Sequence, residues 1–155
     1  MINTINLVWQ DLNQASNVPT NVMTWLNDDQ SLTAKLKQKF SDFSVNVLFQ
    51  QQASPHTHEV EIMGSNKQCV IREVELLGDS QVVVFARSVI PLTNDTKEIL
   101  SIGPKPLGEV LFNTSIKRGP LQITHTDAIW GRRSIFTIGN TKLLVSEFFM
   151  ENLYA

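Results

Sequence analysis

Two stretches of the chain, Cys69 to Leu77 and Val82 to Ile90, are rich in β-branched residues, which favour extended backbone over helix. Between them lies Gly78-Asp79-Ser80-Gln81, whose small and polar side chains supply turn chemistry, so the pair predicts an antiparallel hairpin. A second pairing follows near the end of the chain. There Arg133 to Ile138 and Lys142 to Phe149 flank Gly139-Asn140, a dipeptide that fits a tight hairpin turn. Phe43, Val45, Val47 and Phe49 alternate with more polar residues, as do Leu121, Ile123 and His125, which adds strands with one buried face.

Helical spacing is confined to shorter segments. From Pro19 to Phe40 the residues Val22, Trp25 and Leu26, then Leu32, Leu36 and Phe40, recur at intervals of three and four and predict two short helices. Asp28, Asp29 or Ser31 can cap the second. Asn94 to Ile102 reads as a short helix ended by Gly103 and Pro104, and Pro106 to Phe112 as a further turn. Gln51 to Lys67 reads as a polar loop. Helices come first, then strands in antiparallel neighbours, with no repeating strand-helix alternation. The expected class is therefore α+β, a single domain over residues 1–155 with a mainly antiparallel sheet.

Composition narrows the function classes. With 42% hydrophobic and 18% charged residues, the chain has the makings of a packed core and is too apolar for disorder. A formal charge of -2 leaves no basic surplus for a nucleic-acid backbone, so nucleic acid is not an expected partner. Cys69 is the sole cysteine, which excludes an internal disulfide and fits a buried strand position in a reducing compartment. No basic leader segment and no long apolar run is present, so membrane insertion is not expected and the chain reads as cytoplasmic. Glycine-rich phosphate loops, nucleophile elbows and dinucleotide fingerprints are missing, and no cofactor or metal is expected. Asn94-Asp95-Thr96 and Asn113-Thr114-Ser115 are glycosylation sequons by pattern only.

Against this background two charges break the pattern. One face of the strand around residue 72 reads Val70, Arg72, Val74, Leu76; one face of the last strand reads Leu143, Val145, Glu147, Phe149. A buried charge without a partner costs several kcal/mol, so each must be paired, hydrated or bound to a ligand. Periodicity fits a structural ion pair and a small-acid site equally well. Arg87, on a face with Val83, Phe85 and Val89, is a third such charge, although arginine can also snorkel to solvent. Arg132 and Arg133 beside Trp130 could hold an anion or lie in solvent. His56-Thr57-His58-Glu59 has no recognised zinc spacing and reads as a solvated loop.

Several separated motifs occur in one order: Ile71-Arg72-Glu73-Val74, Phe85-Ala86-Arg87-Ser88-Val89-Ile90-Pro91, Pro106-Leu107-Gly108-Glu109, Trp130-Gly131-Arg132-Arg133-Ser134 and Leu143-Leu144-Val145-Ser146-Glu147. With Trp25-Leu26 and Ser31-Leu32-Thr33 upstream, the chain resembles the chorismate lyase family over most of its length. The resemblance implies a cofactor-independent enzyme that converts chorismate to 4-hydroxybenzoate and pyruvate, the entry step of ubiquinone synthesis in many bacteria. It further implies a monomer with the ligand buried beneath helical flaps over an antiparallel sheet.

By the same resemblance Arg72 holds the ring carboxylate and Glu147 contacts the ring hydroxyl, while Leu32 and Leu107 contribute largely through their backbone. The best-known members carry methionine where this chain has Leu32, which bears on pocket shape more than on a backbone contact. Glu147 could donate a proton, accept one, or only bind the hydroxyl. Arg132, Arg133 and Arg87 are candidates for the second carboxylate. The rival reading is a non-catalytic small-acid-binding effector domain of the same fold. The residues ahead of Trp25 are too few for an attached DNA-binding domain, and the motif around Glu147 is intact, which favours the enzyme.

Overall fold

In the computed structural model the structure describes residues 2–28, 31–64, 68–107, 111 and 116–155. The expected hairpin is present, toward one edge of the sheet. Strand β3 (Cys69–Gly78) pairs antiparallel with β4 (Gln81–Pro91), and the turn residues Asp79 and Ser80 adopt φ of 49° and 69°. Both central residues in the left-handed region match the right-handed twist of a two-residue hairpin. Strand β2 (Phe43–Ala53) pairs with the far edge of β3.

The remaining strands arrive from the second half of the chain. Strand β7 (Ile129–Ile138) turns at Gly139-Asn140 into β8 (Thr141–Phe149), with Ile138 opposite Thr141. Gly139 has φ of 57°, and a Cβ there would lie 2.6 Å from Asp95 Oδ1, so glycine serves both the turn and the close approach. On its other edge β8 pairs with β4, which joins the two hairpins into one sheet. Strand β6 (Gln122–Thr126) and the two-residue strands β1 (Gln10–Asp11) and β5 (Lys117–Arg118) complete it. The order is β1-β6-β7-β8-β4-β3-β2, with β5 on β7, and every pairing is antiparallel.

Helices α1 (Thr20–Leu26) and α2 (Leu32–Lys39) fall where the spacing predicts them, and Ser31 caps α2 by accepting from the Ala34 amide at 3.2 Å. Both pack on one face of the sheet, the front, through Val22, Trp25, Leu26, Leu32 and Leu36 against Val74, Leu76, Val84 and Phe149. Farther along the same face, Ile99, Leu111, Phe136, Leu143 and Val145 form a second apolar cluster.

Three expectations need correction. The stretch Gln51 to Lys67 is not a loop: β2 runs on to Ala53, and Thr57–Met63 forms a helix, α3. Its start is held by Glu59, whose Oε1 accepts from the His56 amide at 2.7 Å, and its end by Gly64 at φ 68°. Asn94 to Ile102 forms two separate 3-10 turns, Asn94–Thr96 and Ile99–Ser101, in place of one helix. Strand β7 starts at Ile129, four residues before the expected Arg133. A short helix, α4 (Glu151–Tyr154), follows β8. Asp29, the centre and end of the predicted turn Pro106 to Phe112, and Asn113-Thr114-Ser115 lie outside the described residues.

Helix α3 covers the opposite, rear face, where Met63 packs on Cys69, Ile71, Val89 and Leu144. No described helix is long and apolar enough to cross a membrane. Gly131 is a contact point on β7: a Cβ there would meet the Phe148 ring at 2.7 Å and Thr124 Cγ2 at 2.9 Å. Gly131→Ala is expected to lower stability by about 1–3 kcal/mol through overpacking, read as a drop in urea midpoint at unchanged slope.

Candidate functional site

Between the two front clusters lies a narrow cavity of about 40 Å³. Val74, Leu76, Ala86, Phe136 and Val145 form apolar walls, and Ser88 adds a hydroxyl. Leu32, Arg72, Leu107 and Glu147, the residues singled out from the sequence, all line it. Three arginines, Arg72, Arg118 and Arg132, and one carboxylate, Glu147, line it.

Strand register explains how these groups meet. Gln50, Arg72, Ser88, Val145 and Ser134 are successive cross-strand partners and form one row across β2, β3, β4, β8 and β7. Val74, Ala86, Glu147 and Arg132 form the next row on the same face. Arg72 and Glu147 are thus separated by one strand and offset by two residues. At about 4.8 Å per strand and 3.4 Å per residue, their Cα atoms lie roughly 12 Å apart. That spacing lets two inward side chains address opposite ends of one small ring.

Arg72 is 2% exposed, and among the described residues no carboxylate pairs with it. Its Nη1 donates to Gln50 Oε1 at 2.7 Å and its Nη2 to the Lys105 carbonyl at 2.9 Å, while Nε has no partner among the described residues. Gln50 is itself fixed, donating from Nε2 to the Leu100 carbonyl at 2.9 Å. Burial pushes the Arg72 pKa below the ordinary arginine value. The guanidinium is therefore oriented by neutral acceptors, with its charge uncompensated by any described carboxylate.

Glu147 is not the partner of Arg72. Its Oε1 accepts from Arg132 Nε at 2.8 Å. Arg132, 1% exposed, also donates from Nη1 to the carbonyls of Trp25 at 3.0 Å, Leu26 at 3.4 Å and Asp28 at 2.7 Å. The Trp25 and Leu26 carbonyls end α1, where a helix leaves acceptors unfilled and favours a cation, and Asp28 follows just beyond its cap. The hairpin itself foretells the Arg132 and Glu147 pairing, since a two-residue turn at Gly139-Asn140 sets every partner along β7 and β8.

Arg87 and Arg133 lie behind the sheet, away from the cavity, because the pleat turns alternate residues to opposite sides. Arg87 makes a two-pronged bond to Glu59, Nε to Oε2 and Nη2 to Oε1, both at 2.8 Å, and reaches Glu73 Oε2 at 3.1 Å. Burial pushes Glu59 up, and the Arg87 bonds more than offset this, so its pKa ends below the ordinary carboxylate value. Arg133 packs over the Trp9 ring at 4.4 Å and donates to Gln122 Oε1 and His58 Nδ1, each at 2.9 Å. Burial lowers its pKa to about 10, against a smaller opposing effect from Glu59.

The His56 to Glu59 stretch, expected as a solvated loop, belongs to this rear network. His56 Nε2 meets Thr4 Oγ1 and His58 Nε2 meets the Thr4 carbonyl, both at 2.9 Å, which ties the N-terminal segment to α3. Since Arg133 can only donate, His58 Nδ1 is the acceptor and its proton sits on Nε2. No described group of three or more His, Cys, Asp or Glu is placed to hold a metal.

Arg118 is the lining residue that the sequence reading missed. It lies on a two-residue strand opposite Phe136, with Nε donating to Ser134 Oγ at 2.9 Å and its guanidinium carbon 5.1 Å from the Phe136 ring centre. Lys117-Arg118 has no periodic context, so nothing local marks it.

Comparison with known proteins agrees with this architecture. The profile of the chorismate lyase family matches residues 3–155. A protein of Aromatoleum aromaticum named probable chorismate pyruvate-lyase is 36% identical, over 88% of each chain. Proteins of the same name from Thiobacillus denitrificans and Pseudoalteromonas atlantica are 32% and 31% identical, covering 92% and 94% of this chain and 89% and 87% of their own.

Proposed function

Because the chain belongs to the chorismate lyase family, we propose that its cavity binds chorismate and releases 4-hydroxybenzoate and pyruvate. The observation that carries this reading is the buried Arg72 guanidinium, paired with no described carboxylate, lining one largely apolar cavity with Glu147. Such a site suits a dicarboxylate with a hydrocarbon ring, because each buried anion needs a cation and the ring needs none.

In this reading Arg72 takes the ring carboxylate. Glu147, with Oε1 held by Arg132, turns Oε2 to the ring hydroxyl, and Leu32 and Leu107 close over the ring from opposite sides. The reaction breaks the ether bond at C3 and the C4–H bond. The C4–H electron pair completes the aromatic ring, the C4 proton departs, and the enolpyruvate leaving group takes a proton on its methylene carbon to become pyruvate. Atoms balance without water or redox change. Aromatisation supplies the driving force, so the protein's task is to hold the ether aligned for departure and to place cations where negative charge grows. Apolar walls keep bulk water from screening those cations.

The reading takes the enzyme as a cytoplasmic monomer that uses no bound cofactor and feeds quinone synthesis. Incubating the purified protein with chorismate should release pyruvate and 4-hydroxybenzoate in equal amounts. Release no faster than in an enzyme-free blank would overturn the lyase reading, and tight chorismate binding without turnover would make the fold a small-acid-binding module.

A further inference from the structure

We propose that Gln50 is a positioning residue for the reaction: it holds the Arg72 guanidinium so that one edge, Nε and Nη2, stays turned to the ring carboxylate, and it does so without cancelling the charge. The proposal rests on the reading of the cavity as a chorismate site, and it names the residue through which Arg72 is set.

The first observation is a break in strand register. Phe43 stands opposite Gly78 and Val47 opposite Val74, but beyond the irregularity at Leu48 it is Phe49 that faces Glu73 and Gln50 that faces Arg72. Carried on unbroken, the first register would set Phe49 opposite Arg72 and Gln50 opposite Ile71. The irregularity also changes which residues face front. Phe43 and Val45 pack on the front cluster, whereas Phe49 and Ala53 pack on the rear one. Odd-numbered positions thus cross from one side of the sheet to the other, and the even-numbered Gln50 joins Arg72 on the front. One extra residue in an edge strand has re-aimed a polar side chain at the buried cation. Bulges of this kind are over-represented beside active sites.

The second observation is what Gln50 touches. Its Oε1 accepts from Arg72 Nη1 at 2.7 Å, and its Nε2 donates to the Leu100 carbonyl at 2.9 Å. Both ends of the amide are engaged, so the side chain cannot turn over without losing both bonds. Arg72 Nη2 donates in turn to the Lys105 carbonyl at 2.9 Å. Leu100 and Lys105 belong to the connection between β4 and β5, which also carries Leu107 at the cavity wall. Gln50 therefore fixes the cation at Nη1 and ties it to the segment that forms this wall.

Charge explains why an amide serves here. A carboxylate in its place would pair with Arg72 and compete with any ligand anion, whereas an amide oxygen accepts the same hydrogen bond with no net charge. Nε, with no partner among the described residues, and the second hydrogen of Nη2 then form the side of the fork that a carboxylate takes with two parallel bonds. Orientation is set before the ligand arrives, so little rotamer freedom is left to lose.

A double-mutant cycle with Arg72→Met tests this. Gln50→Met keeps the length of the side chain and removes both bonds. It should raise the chorismate KM and the inhibition constant of 4-hydroxybenzoate alike by about 5–15-fold, with kcat within about twofold of wild type, because the ring carboxylate is held equally in ground and transition states. In the Arg72→Met background the same change should do nothing further, so that kcat/KM of the double variant equals that of Arg72→Met. A residue that only supports the fold would lower the double variant below the single one. Should Gln50→Met fail to fold in a thermal melt, Gln50→Asn, one methylene too short to reach both partners, carries the same cycle. An unchanged KM in the single variant overturns the proposal, as does an additive loss in the double variant. An inactive wild type, or wild-type turnover in Arg72→Met, would instead sink the reading of the site on which the proposal rests.

Discussion

Arg72→Met is expected to reduce kcat/KM for chorismate by about 10²–10³-fold, some 3–4 kcal/mol, while leaving the folded protein as stable as before or more so. Both halves follow from one set of contacts. Arg72 is 2% exposed and, among the described residues, is bonded to neutral acceptors alone and has no partner at Nε. A cation so placed weakens the fold, because desolvation is not repaid by an opposite charge. Methionine has a similar length and no charge to desolvate. Its cost is the loss of two hydrogen bonds, at Gln50 Oε1 and the Lys105 carbonyl, about 1 kcal/mol each. Stability bought at the expense of function marks a site. Pyruvate release and a thermal melt on the same preparation provide the check. Wild-type turnover in Arg72→Met would remove Arg72 from the site.

Behind the sheet the opposite outcome is expected. Glu59→Ala should cost about 3–5 kcal/mol, roughly 10 °C in melting temperature, and leave turnover per folded molecule intact. Glu59 is 1% exposed and takes both prongs of Arg87, so its removal leaves a buried cation with only the longer contact to Glu73. The pH dependence has a definite sign. Glu59 is held below its ordinary value of 4.5, so its contribution is complete above that pH and is lost as pH falls through the lower folded value. His56 acts earlier in the same direction. Burial first, then Arg87, lowers it from 6.5, with Glu59, His58 and Glu73 also in reach. A histidine kept neutral by the fold loses stability as pH drops below 6.5. Wild-type stability should therefore decline below neutrality and again in stronger acid, with the second decline absent in Glu59→Ala. Denaturant midpoints across pH measure it, and a flat profile in the wild type would refute the assignment.

How legible was this in the sequence? Strand faces were the most legible part, because a period of two needs no knowledge of the rest of the molecule. Arg72 and Glu147 could be seen to share an orientation with apolar neighbours, and the structure puts both at one cavity with Leu32 and Leu107. What each charge touches was not legible, since that depends on which strands become neighbours. The pairing of β4 with β8 brings Glu147 within reach of the Arg72 wall, and a long connection separates those strands. Helix α3 escaped because its buried face includes a carboxylate: Glu59 and Met63 are buried in a segment that reads as polar. Arg118 escaped because a two-residue strand has no periodicity.

Arg132 and Arg133 are neighbours in sequence with unrelated duties, one facing Glu147 and one facing His58. The same parity divides Arg72 from Glu73 and Arg87 from Ser88. This has a consequence for how such a chain can change over generations. Insertions can collect in its connections, but one codon gained or lost within β3, β7 or β8 would exchange the two faces downstream of it unless a bulge absorbed the change, as happens where the β3–β4 register shifts at Leu76 and Leu77. The cavity would receive the groups built for the rear, and the rear those built for the cavity. Lineages of this fold should therefore vary in length at the connections while keeping strict spacing within each strand, as from Arg72 to Val74 and from Val145 to Glu147.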